Sequence, residues 1–69
     1  MVEVFKTNVD GTEQSVKVLT HIEASFPELI INFDLEDCDK ILRTEGAIIP
    51  IDQIKKLLRV EGYFCEVLV

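Results

Sequence analysis

The apolar and polar positions of this chain change period four times, and each change marks the start of a new element. Val2-Glu3-Val4-Phe5-Lys6-Thr7 alternates and is rich in β-branched and aromatic residues, which predicts a strand over Val2–Thr7. Asn8-Val9-Asp10-Gly11 then supplies a turn signal, with Asp10 or Thr12 as the expected acceptor for the first free amides of a helix. From Glu13 the period is helical. Val16, Leu19, Ile22 and Phe26 recur at threes and fours and are expected to face the core, with Lys17, His21 and Ala24 pointing away. Pro27 stops this helix, because proline disfavours the helical conformation of the residue before it and lacks a backbone donor.

The strongest strand pattern is Leu29–Leu35, with Leu29, Ile31, Phe33 and Leu35 on one face and Asn32 and Asp34 on the other. Glu36-Asp37-Cys38-Asp39 reads as a polar turn, and Lys40–Thr44 as a return strand ended by Gly46, so the two strands form a hairpin. Pro50 is expected in the first turn of a second helix, where its missing donor costs nothing. Ile51, Ile54, Leu57 and Leu58 form that helix's buried stripe, Gly62 its left-handed cap, and Tyr63–Val69 a last strand. The order strand, helix, strand, strand, helix, strand predicts an α+β domain over residues 1–69. Its expected form is the ferredoxin-like βαββαβ sandwich, one four-stranded antiparallel sheet with two helices on one face.

In that topology three connections share one end: the Asn8–Gln14 loop, the Glu36–Asp39 turn and the Gly62-Tyr63 junction. A site is expected there, and the loop has neither thiol nor imidazole. The other sheet face has no helix to cover it, so the face or an edge strand is available to a protein partner or a second copy.

These residues resemble the heavy-metal-associated domain family, the small ferredoxin-like modules of copper chaperones and metal-pumping ATPases. The resemblance spans nearly the whole chain. It rests on the Val9-x-Gly11 step, the helix face of Val16, Leu19 and Ile22, Gly62-Tyr63 before the last strand, and the domain size. In the family the loop after Gly11 carries C-x-x-C, two thiolates for a soft ion. Here Thr12-Glu13-Gln14-Ser15-Val16 stands in its place. Tyr63 matches the residue that lies over the metal loop in bacterial members. The resemblance therefore implies the scaffold of a metal carrier without its ligands, leaving Asp10, Gly11, Thr12, Glu13 and Tyr63 as a candidate interaction end.

Composition narrows the function classes. Thirteen acidic against seven basic residues give a formal charge of −6, which disfavours nucleic acid and anionic lipid. Lys55, Lys56 and Arg59 read as a solvated helix face. No apolar run reaches membrane-spanning length, and the N-terminus lacks a signal-peptide pattern, so a cytoplasmic protein is expected. Cys38 and Cys65 belong to no C-x-x-C pair and are the candidate ligands of a nonstandard metal site, the alternative reading. Asp34, Glu36, Asp37 and Asp39 lack the spacing of a calcium loop. His21 has no nucleophile placed with it, and no glycine-rich phosphate loop occurs. The expectation is a binding or interaction module with no cofactor and no enzymatic activity.

Overall fold

The structure, a computed structural model, describes residues 1–34 and 40–68. Its elements are β1 (Val2–Thr7), α1 (Thr12–Ser25), β2 (Ile30–Asp34), β3 (Ile41–Glu45), α2 (Ile51–Val60) and β4 (Cys65–Val67). The strands form one sheet in the order β2-β3-β1-β4, with every neighbouring pair antiparallel. This is the expected ferredoxin-like arrangement. Among the described residues no helix is long and apolar enough to cross a membrane.

The pleat decides which residues meet the helices. Phe33, Leu42, Phe5 and Val67 lie opposite one another across the four strands, and Thr7 lies opposite Cys65 on the same face. Apart from Thr7, these strand residues belong to or pack against a single apolar cluster with Val18 and Ile22 of α1 and Ile54 and Leu58 of α2, so both helices cover one face. The opposite face mixes Lys6, Arg43 and Glu45 with Val2, Val4, Ile30 and Ile41, and no described element covers it.

Several boundaries differ from the sequence pattern for local reasons. In α1 the buried positions are Ser15, Val18 and Ile22, while Val16 is 55% exposed. Two apolar seams were available, and the sheet takes the one in which Ser15 Oγ is already satisfied by donating to the Thr12 carbonyl at 2.8 Å. Neither helix has a side-chain cap: Gly11 holds the N-cap of α1, not Asp10 or Thr12, and Pro50 holds that of α2. Pro50 lies one residue before the first turn, at φ −79° and ψ 78°, with Ile51 N–H bonding the Ile49 carbonyl across it at 2.9 Å. That is an inverse γ-turn, which proline's fixed φ favours.

The end of α1 follows the proline rule. Phe26 leaves helical geometry at φ −135° and ψ 70°, and Leu29 N–H closes a turn onto the Phe26 carbonyl at 3.1 Å. Leu29 is thus buried ahead of β2 rather than inside it. At the end of α2, Tyr63 N–H bonds Leu58 O and Gly62 N–H bonds Arg59 O, a Schellman cap with Gly62 at φ +93°. Because the cap claims the Tyr63 amide and Asn8 claims that of Phe64, β4 starts only at Cys65. The turn over Glu36–Asp39, with Leu35, Cys38 and Val69, lies outside the described residues.

Candidate functional site

The shared end is organised by Thr7, the last residue of the central strand β1. Its buried hydroxyl donates to the Lys40 carbonyl at 2.6 Å and accepts from Val9 N–H at 3.2 Å. One side chain therefore joins the β1–α1 loop to the start of β3. Val9 is fully buried and anchors the loop from below, and Asn8 Oδ1 accepts the Phe64 amide at 2.7 Å, tying the loop to the start of β4. Lys40 Nζ lies 3.6 Å from Asp10 Oδ1, but Asp10 is 84% exposed, so water screens that pair and it adds little. Lys40 itself sits at φ +48°, a left-handed conformation uncommon for a lysine.

Of the expected interaction residues, Asp10, Gly11, Thr12 and Glu13 are all exposed on this loop and the first turn of α1. Gly11 has φ 95° and ψ 146°, a region open essentially only to glycine. An added Cβ there would also meet Gln14 Oε1 at 2.5 Å, but that is the far end of a flexible side chain, so backbone conformation is the stronger constraint. Tyr63 is half-buried and packs against the core, a structural role. The sequence pattern assigns no bonding role to Thr7, Asn8 and Lys40, which hold the end together, and marks Val9 only through the Val9-x-Gly11 step. A readable signal existed: a threonine hydroxyl commonly bonds the amide two residues on, and Thr7-x-Val9 stands just before Asp10-Gly11.

Cys65 is buried at 7% exposure opposite Thr7, and Cys38 lies outside the described residues. Burial pushes the Cys65 thiol up to about 11, with nearby Lys55 pulling down and Glu66 adding to the rise. A protonated thiol is a poor soft-metal ligand. Among the described residues no group of three or more His, Cys, Asp or Glu is placed to hold a metal ion.

The buried thiol gives a pH prediction. Up to its ordinary value near 9 it is protonated whether the chain is folded or not; between 9 and about 11 the unfolded chain releases a proton that the folded chain keeps. Stability attributable to Cys65 is therefore lost as pH rises through that window, by on the order of 2 kcal/mol. Urea midpoints of wild type and Cys65→Val, measured across the window, should show the extra slope in wild type alone. Parallel slopes would mean the thiol is not buried as described.

Among the described residues, α1 has a groove on either side. One, of about 730 Å³, lies between the helices and is lined by Ala24, Phe26, Leu57 and Val60, with the His21–Glu61 pair at one end. It is the larger and the more distant from the loop. The other, of about 540 Å³, lies between α1 and the edge strand β2, with Thr12, Ser15 and Leu19 on one wall and Ile31 and Phe33 on the other. It begins at Thr12, on the candidate end. The chain matches no family model, no curated protein and no solved structure.

Proposed function

We propose that this chain is a small cytoplasmic interaction module that binds a protein partner through its open sheet. In this reading it is a relative of the heavy-metal-associated domains whose loop has exchanged thiolates for Thr12-Glu13-Gln14-Ser15. The observation that carries the reading is the apolar surface left outside the helical layer. Ile30 is 65% exposed and Val2, Phe64 and Leu68 are exposed as well, on or beside the sheet face that no described element covers. Isolated exposed apolar residues need no explanation, but several on one sheet face mark a contact surface. The hydrogen bonds of Thr7 and Asn8 support the same reading, because they hold the end of the sheet in one arrangement before any partner arrives.

The competing reading, metal trafficking through Cys38 or Cys65, is weakened by the burial of Cys65, which disfavours its thiolate. Titration of reduced protein with Cu(I) and Zn(II) against a competing chelator separates the two. Wild type and a Cys38→Ser/Cys65→Ser variant should both fail to compete. Tight binding by wild type that disappears in the variant would replace the interaction reading with the metal reading.

A further inference from the structure

The edge strand β2 has a hydrogen-bonding register that can be worked out from its neighbours. Met1 and Gly46 exchange both backbone hydrogen bonds, at 2.8 and 3.0 Å. Antiparallel pairing alternates, so Thr44 and Leu42 direct their backbone groups to β1, whereas Glu45, Arg43 and Ile41 direct theirs to β2. The partners in β2 that answer them are Ile30, Asn32 and Asp34. Ile31 and Phe33 are left with N–H and C=O pointing away from the sheet, along an edge that no described strand occupies.

The side chains of these same two residues form one wall of the α1–β2 groove. A strand added to this edge would pair with Ile31 and Phe33, and its residues opposite them would direct side chains to the same face, into the groove against Leu19 and Ser15. Val16 lies four residues from Thr12 and three from Leu19, so its 55% exposed side chain stands at the rim of that wall. The backbone asks for an extended segment, and the groove asks for apolar residues at alternate positions.

Charge selects among occupants. No lysine, arginine or histidine lines the groove, Glu28 is exposed just ahead of β2, Glu23 stands one turn beyond Leu19 on α1, and the chain carries −6 overall. A second copy would bring together two chains that each carry −6, and its own edge would add no basic flank. We propose that the free edge of β2 and the α1–β2 groove bind an extended segment of a partner protein with apolar residues at alternate positions and basic flanks. This rests on the reading of the chain as an interaction module and names the partner's chemistry.

The test uses short synthetic peptides carrying valine, leucine or phenylalanine at alternate positions between lysine ends, added to isotopically labelled protein. At least one should slow hydrogen exchange at the Ile31 and Phe33 amides and shift the resonances of Leu19. N-methylation of the peptide amides that pair with β2, glutamate in place of the lysine ends, or Val16→Lys in a protein with unchanged circular dichroism should each weaken binding about tenfold or more. Unaltered exchange at Ile31 and Phe33 with every peptide, or equal binding of the N-methylated form, would overturn the proposal. Protection of those amides that grows with protein concentration in the absence of peptide would overturn it in favour of a second copy. Shifts confined to Val4, Arg43 and Glu45 would overturn the edge site while leaving the interaction reading intact, and metal competition would remove that reading itself.

Discussion

Phe5→Ala is expected to leave much of the chain unfolded at room temperature. Phe5 is fully buried in the central strand, directly opposite Leu42 on one side and Val67 on the other. It is also one of the largest side chains in the core that receives Val18 and Ile22 from one helix and Ile54 and Leu58 from the other. Truncating a phenylalanine in such a position costs about 3–5 kcal/mol, part of it lost transfer energy and part the cavity left behind. A chain of this length has a total stability of about 3–10 kcal/mol at typical per-residue values. The loss is therefore comparable to the whole. Urea titration followed by far-ultraviolet circular dichroism should show a folded baseline that is short or missing, against a Val16→Ala control within about 0.5 kcal/mol of wild type. A Phe5→Ala midpoint near that of wild type would show that the core is not centred on β1.

The same contrast shows what was legible in the sequence. The extent of strand β1 was, because alternation and β-branched content mark Val2–Thr7, but which face is covered was not, since Val2 and Val4 lie on one face and Phe5 with Glu3 on the other. The Schellman cap at Gly62 was legible because only a residue tolerant of positive φ closes it. The rotation of α1 was not. Val16, Val18, Leu19 and Ile22 offer more than one apolar seam, and the choice is made by the sheet, which accepts small Ser15 and rejects Val16. Strand β4 was overextended because its pattern continues through Tyr63 and Phe64, whose amides are taken by Leu58 and Asn8, groups distant in sequence. The convergence of the β1–α1 loop with the starts of β3 and β4 was legible, since it follows from topology alone. The bonds that hold them together were not, because each joins residues that only the finished sheet makes neighbours.

Functional consequences meet at Thr7, and Thr7→Val should destabilise the domain by about 2 kcal/mol although it keeps shape and volume. Valine preserves the packing opposite Cys65 but removes both the donor to the Lys40 carbonyl and the acceptor for the Val9 amide. Leaving the buried Val9 amide without its acceptor costs about 1–3 kcal/mol, and the part-buried bond to the Lys40 carbonyl adds less. A second effect follows at Lys40, whose φ of +48° loses the bond that helps hold it. Glycine adopts that conformation without the side-chain penalty, so Lys40→Gly should recover roughly 1 kcal/mol in the Thr7→Val background. The double-mutant cycle should therefore show coupling between the two positions, whereas Lys40→Gly paired with distant Val60→Ala should be additive. Hydrogen exchange adds a spatial readout: the amides of Val9 and Phe64 should lose protection in Thr7→Val before those of Ile54 or Leu58, because the loop opens without the core. Uniform loss across all four amides would mean that Thr7 supports the whole sheet and that the loop has no separate stability. Protection unchanged at Val9 would mean that Asn8 and the buried Val9 side chain hold the loop without the Thr7 hydroxyl.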